Sequence, residues 1–243
     1  MRPLPFDLTD RFAAWRWRVA WSFDPDAPTY VFTNGDERRF VKLAASGRAI
    51  PDEAQKLRWA LGYLPVPEVI EYGSDGETDW LMTAALEGVD ATQHPWLTED
   101  PHRLVVALGE GLKVLHSGVP VNDCPFDFSP PTAVAHVKAR LAAGLVSPEP
   151  VERLIATAPQ DWAEVVCHGD YCLPNALLTD GKVTGYLDLG RLAVADPWWD
   201  LAIGALSCTW NLGPGYEELF YSAYGVSPDP ERIAWYRLLY DLV

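Results

Sequence analysis

Two short apolar runs in the second half of the chain, Val165-Val166-Cys167 and Thr184 to Leu187, deliver three oxygen-bearing side chains: Asp170 and Asn175 after the first and Asp188 at the end of the second. Residues 165–188, VVCHGDYCLPNALLTDGKVTGYLD, read as a buried strand, a loop opening on His168-Gly169-Asp170, and a strand that returns to the same edge. That path delivers the three side chains to one rim. A small set of oxygen donors with no His/Cys cluster beside it suits Mg²⁺, which takes one or two protein oxygens and fills the rest of its shell from water and phosphates. The chemistry that needs such a set is phosphoryl transfer, which asks for a base to orient an attacking hydroxyl, metal ions across the phosphates and a cation on the nucleotide. Asp170 is then the candidate catalytic base, and Asn175 and Asp188 are the candidate metal ligands. The plainer reading of Asp170 as a loop cap is outweighed by its two companions.

The segment HGDYCLPN resembles the HGDxxxxN catalytic loop of antibiotic and small-molecule kinases, and Asp188-Leu189-Gly190 resembles the metal-binding DFG element of kinases. The following GRLAVADPWWDLA is similar to the matching stretch of the aminoglycoside 3'-phosphotransferases. RFVKLA, DEAQKLRW, DCPFD, AGLV and RIAWYRLLYD have counterparts in that family in the same order, so the resemblance runs through most of the chain. It implies an α+β, bilobal, protein-kinase-like fold: residues 1–88 as a small antiparallel-sheet lobe with one helix and the hinge, and residues 89–243 as a larger, mainly helical lobe. It also implies a phosphotransferase with an alcohol group as acceptor, using ATP or GTP with Mg²⁺ to modify an aminoglycoside-like antibiotic and so give resistance. A kinase of another hydroxyl metabolite, of choline, homoserine or amino-sugar type, is the alternative, and a nucleotide-binding pseudokinase is the reading from another class.

The elements that must position these residues are legible in outline. RWRVAWSF, TYVFTNG and ERRFVKL read as strands, with Asn34-Gly35 as a hairpin turn. The connector Asp24 to Thr29 lies where a kinase covers the phosphates and contains no glycine. Lys42 sits between Val41 and Leu43, so strand alternation sends it to the opposite face from those two. It resembles the kinase lysine that holds the α- and β-phosphates, and Glu53, on a helix expected over 51–61 with Pro51 in its first turn, resembles the glutamate that pairs with that lysine. Phe40 shares the Lys42 face, where stacking on adenine and plain packing are both open. Residues 82–88 resemble the interlobe hinge, whose backbone at Thr83 and Ala85 would read the adenine edge.

In the second lobe Leu104, Leu108, Leu112 and Leu115 recur at helical spacing, and further helices are expected over 132–145, 151–158, 201–210, 217–224 and 230–242. His116 is expected to cap or pack, His168 to prop the catalytic loop, and Asp200 to brace it from beneath. Arg191 either contacts substrate or ties down the loop. Aminoglycosides carry several ammonium groups, and the family meets them with carboxylates; here Leu206, Ser207, Trp210 and Asn211 stand where charged residues are usual, and Tyr240 stands where the family has an Asp. Asp241 and the terminal carboxylate of Val243 are the substrate contacts retained at the end of the chain.

At 243 residues and 49% apolar composition the chain can bury a full core. A formal net charge of −15 argues against nucleic acid or an anionic membrane as partner and is compatible with a small cationic substrate. MRPLPFDLTD lacks the basic and apolar regions of a signal peptide, and no apolar run approaches a membrane span, so a cytoplasmic protein is expected; a monomer or weak dimer is the expected assembly. The four cysteines form no CxxC pair, which makes a disulfide framework or zinc site improbable.

Overall fold

The computed structural model describes residues 1–22 and 24–243; Phe23, the last residue of the expected first strand, lies outside them. The chain divides into two compact units, Met1–Glu87 and Gly88–Val243.

The first unit opens with a short helix, α1 (Phe6–Arg11), followed by β1 (Arg16–Trp21), β2 (Thr29–Asn34), β3 (Glu37–Ala45), α2 (Ala49–Ala60), β4 (Val69–Ser74) and β5 (Thr78–Ala84). The strands form one antiparallel sheet in the order β1-β2-β3-β5-β4. Alternation along β3 decides its two faces. Val41 and Leu43 are fully buried with Leu8, Phe32, Trp80 and Met82, which leaves Phe40 and Lys42 on the other face. α1 was not expected: in six residues it buries only Leu8, too little to show a helical period. The β2–β3 loop is Gly35-Asp36 rather than Asn34-Gly35, because Asn34 already pairs with Glu37. Gly35 takes φ +59° at the first loop position, the place where a two-residue hairpin needs glycine. α2 starts two residues before the expected Pro51, which the helix tolerates because first-turn N–H groups have no intrahelical acceptor.

The loop from β3 into α2 is held by Asp79 on β5, whose carboxylate accepts from Ser46 Oγ at 2.7 Å and Gly47 N–H at 2.8 Å. Hydrogen bonds from Ser74, Gly47 and Ser46 hold its carboxyl below the usual carboxylate range. The strand carrying Lys42 and the helix carrying Glu53 are thereby joined at their common end.

The second unit contains β6 (Val89–Asp90), α3 (Trp96–Glu99), α4 (Pro101–Gly118), α5 (Pro130–Ala142), α6 (Pro148–Ala156), β7 (Val165–Cys167), β8 (Ala176–Thr179), β9 (Lys182–Tyr186), β10 (Ala193–Ala195), α7 (Trp198–Leu212), α8 (Glu217–Tyr224) and α9 (Pro230–Leu242). α4 is capped by Asp100, which accepts the Arg103 N–H, and buries the expected stripe Leu104, Leu108, Leu112 and Leu115. α5, α6, α7 and α9 enclose a core containing Val137, Leu154, Trp199, Trp235 and Tyr236. α7 begins at Trp198, three residues before the expectation, because the helix starts directly behind Pro197 instead of after a Pro-Trp-Trp turn. β8 and β9 form a hairpin whose loop residues, Asp180 and Gly181, both adopt positive φ, the type I' requirement. β9 extends back to Lys182, two residues before the expected start. The hairpin sets the candidate metal ligands side by side: Ala176 pairs with Tyr186, and Leu187 N–H donates to Asn175 O at 2.9 Å. No helix among the described residues is long and apolar enough to cross a membrane.

A folded carboxyl held below its ordinary value contributes stability that is present above the unfolded value and lost as pH falls through the folded one. Thermal unfolding of the wild type and of Asp79→Asn, followed from about pH 7 to about pH 3, should therefore show a constant gap that closes at the acid end. A gap that stays open at the lowest pH contradicts this role.

Candidate active site

β7 ends at Cys167 and the chain turns sharply through His168 and Gly169 to present Asp170. Gly169 has φ +85°, and a Cβ there would lie 2.4 Å from the Arg191 carbonyl oxygen, so only glycine allows the loop to pass this close to the segment after β9. Asp170 is half-buried, and its N–H donates to His168 Nδ1 at 3.2 Å, the propping contact expected of that histidine. The Asp170 carboxylate takes Tyr240 OH at 3.0 Å and Cys172 Sγ at 3.2 Å on Oδ1, and Asn175 Nδ2 at 3.4 Å on Oδ2.

Beneath the loop lies Asp200, fully buried in the first turn of α7. Its Oδ1 accepts the Gly169 N–H at 2.8 Å, and its Oδ2 accepts the His168 N–H at 2.6 Å together with His116 Nε2 at 3.0 Å. The other nitrogen of His116 pairs with Tyr224 OH at 2.9 Å. Ligand atoms of His116, Cys167 and Asp200 fall within 4.8 Å of one another, a spacing a metal would accept. The donor chemistry argues otherwise: both histidine nitrogens and both carboxylate oxygens are occupied, and Cys167 donates its thiol proton to Asp196 O, with burial pushing that thiol well above its usual range. The cluster is a brace.

Asn175 and Asp188 present a different donor set. The Asn175 amide nitrogen donates to Asp170 O at 2.9 Å, so its oxygen is the end left for a cation. Asp188 is exposed and adopts φ +58°, a left-handed conformation that Asp tolerates better than most non-glycine residues. One neutral and one anionic oxygen, with solvent for the remaining positions, fit Mg²⁺.

In the first unit Lys42 Nζ donates to Glu53 Oε2 at 2.8 Å; the lysine side chain is 28% exposed and the glutamate side chain 7%. Phe40 lies directly across the ladder from Thr83, so these two expected nucleotide contacts are neighbours. The Ala85 N–H, one of the backbone groups expected to face the adenine edge, instead donates to Arg38 O at 3.3 Å. In the connector, Asp24 and Asp26 are exposed, and the Asp24 carboxylate accepts the Asp26 N–H at 2.8 Å.

Of the other expected substrate residues, Arg191 points toward the chain's own end. Its Nη2 donates to Val243 O at 3.2 Å and its guanidinium lies 5.1 Å from the Tyr240 ring centroid. Asp241 is exposed on α9. Ser207, expected from the resemblance to stand on the substrate side, is instead fully buried and accepts the Leu173 N–H at 2.9 Å, so it supports the loop that follows Asp170. The residues missed from the sequence are Cys172 and Tyr240 as partners of Asp170. The signal available for the second was its place in the resemblance, where Tyr240 stands at a position the family fills with an Asp.

A lysine–glutamate pair on an antiparallel sheet, and a base with two oxygen donors on a braced loop of a helical unit, are parts that a kinase uses. Fold and site together define the class as an α+β, kinase-like phosphotransferase. Residues 16–236 match the model of the phosphotransferase enzyme family, and the chain belongs to that family. It is 34% identical to an aminoglycoside 3'-phosphotransferase of Streptomyces fradiae over 96% of this chain and 97% of the relative. A crystal structure of an aminoglycoside-3'-phosphotransferase of type VIII superposes with TM-score 0.85 at 31% identity, covering 98% of this chain and 97% of that one. The aminoglycoside phosphotransferase APH(3'')-Id of Streptomyces rimosus, solved with ADP and streptomycin, gives TM-score 0.76 at 25% identity, covering 97% and 95%.

Removing the brace should unsettle the loop before anything else. Asp200→Ala leaves three buried donors unpaired and is expected to cost about 3–5 kcal/mol in urea unfolding. A loss below about 1 kcal/mol would show that these donors find other partners.

Proposed function

We propose that the chain transfers the γ-phosphoryl group of ATP or GTP to a hydroxyl of an aminoglycoside-like antibiotic. The observation that carries this reading is the Asp170 carboxylate on its braced loop, with Asn175 hydrogen-bonded to it and Asp188 at the adjoining end of the β8–β9 hairpin. The family membership and the ADP and streptomycin bound to the Streptomyces rimosus relative support it.

In the proposed step, Asp170 accepts the proton of the acceptor hydroxyl as that oxygen bonds to the γ-phosphorus. The bond from phosphorus to the β–γ bridging oxygen breaks, and the nucleoside diphosphate leaves with its electron pair. Asn175 and Asp188 would hold Mg²⁺, which when bound draws off the charge gathering on the phosphate oxygens. Lys42, oriented by Glu53, would neutralise the α- and β-phosphates, and Phe40 with the backbone at Ala85 would receive the base; Thr83 lies in β5 between β3 and β4, so the sheet ladder engages its backbone. Arg191 serves the reading best as a tether for the C-terminal helix, and Asp241 as a carboxylate for an ammonium group of the acceptor. Trp210, 56% exposed with its ring 6.3 Å from that of Tyr240, favours a second acceptor class, a flatter or less charged hydroxyl compound modified by the same machinery.

ADP release measured over kanamycin-, neomycin- and streptomycin-type compounds and over choline- and sugar-type alcohols, with mass spectrometry of the product, separates these acceptors. Asp170→Ala is expected to lower turnover by about 10²–10⁴-fold while the KM for nucleotide stays within about twofold. Near-normal turnover of that variant, or nucleotide binding with no acceptor phosphorylated, contradicts the proposal.

A further inference from the structure

We propose that Tyr240 is a positioning residue for Asp170: its hydroxyl determines which carboxylate oxygen is left to receive the acceptor's proton. The inference rests on the reading of Asp170 as the base.

The geometry divides the two oxygens. Oδ1 accepts from Tyr240 OH at 3.0 Å and from Cys172 Sγ at 3.2 Å, whereas among the described residues Oδ2 has only the longer contact from Asn175 Nδ2 at 3.4 Å. A carboxylate oxygen has about two lone-pair directions in its plane, so two donors fill Oδ1 and the acceptor hydroxyl is directed to Oδ2. Both donors keep their protons: burial, and then the Asp170 charge, raise the Tyr240 phenol, and the same two causes in the same order raise the Cys172 thiol. A phenol is the stronger donor of the two, so Tyr240 sets the carboxylate plane.

The phenol is itself fixed. Arg191 lies over its ring at 5.1 Å while bonding Val243 O at 3.2 Å, and the Trp199 and Trp210 rings stand 6.0 and 6.3 Å away. The last turn of α9 thus clamps a donor onto the base from a position 70 residues along the chain. Freed of that donor, the carboxylate can rotate about its Cβ–Cγ bond, and the fraction of time Oδ2 points at the acceptor falls.

Tyr240→Phe removes the donor and keeps the ring, so packing against Arg191 and Trp199 survives. Turnover is measured as ADP release with Mg²⁺-ATP, with kanamycin and with water alone as acceptor, in the wild type, Tyr240→Phe, Asp170→Ala and the double variant. The expected result is a fall in kcat of about tenfold, with KM for ATP and kanamycin within about twofold, and no further fall when Tyr240→Phe is added to Asp170→Ala. Unchanged kcat, or the same loss in the Asp170→Ala background, overturns the proposal. A crystal structure of Tyr240→Phe gives a reading independent of acceptor: a turned or disordered Asp170 carboxylate supports the inference, and an unmoved one overturns it. Should Asp170→Ala itself keep turnover, the base assignment fails; should only Tyr240→Phe be silent, Asp170 remains the base and Tyr240 loses its role.

Discussion

A single carboxylate, that of Asp200, carries the arrangement of the second unit. Burying an anion away from water costs several kcal/mol unless donors meet it, and here the His168 and Gly169 amides and His116 do so. Its place in the first turn of α7 adds the favourable end of the helix dipole. The bonds satisfy both sides of the account, because the two amides are themselves buried in a loop that has no strand partner to offer them. Three helices meet through this one group, since α7 supplies Asp200, α4 supplies His116, and α8 supplies the Tyr224 hydroxyl that His116 holds in turn. The loop bearing Asp170 therefore cannot shift without disturbing the packing of the unit.

The first unit uses the same device at smaller scale. Asp79 ties the β3–α2 loop, and Glu53, nearly buried on α2, meets the lysine on β3. In a chain of net charge −15 most carboxylates face solvent, where each contributes little. The few that are buried, among them Asp79 and Asp200, are given fixed donors and do structural work in each unit.

Local groupings were legible in the sequence, and long-range ones were not. Asp170, Asn175 and Asp188 lie on one strand–loop–hairpin passage, so their spacing predicts a shared rim; Lys42 was placed by alternation with Val41 and Leu43. The hairpin loops were blurred by one residue, because Asn34 and Gly35 both suit a turn and only the cross-strand pairing of Asn34 with Glu37 separates them. His116 lies 84 residues from Asp200, and Tyr240 lies 70 from Asp170; no window of sequence contains both members of either pair. Ser207 reads, by the resemblance, as standing where charged residues are usual, and only the fold shows that it faces the Leu173 amide. Such contacts follow from how α4, α7 and α9 pack, which local propensity does not fix.

The claim that Asp200 fixes the loop bearing Asp170 is tested most directly by hydrogen exchange at the His168 and Gly169 amides. Both are bonded to a buried carboxylate, so they should exchange only through global unfolding, at the rate of the core amides of α4. Exchange in both at the fast rate of a solvent-exposed loop would contradict the account.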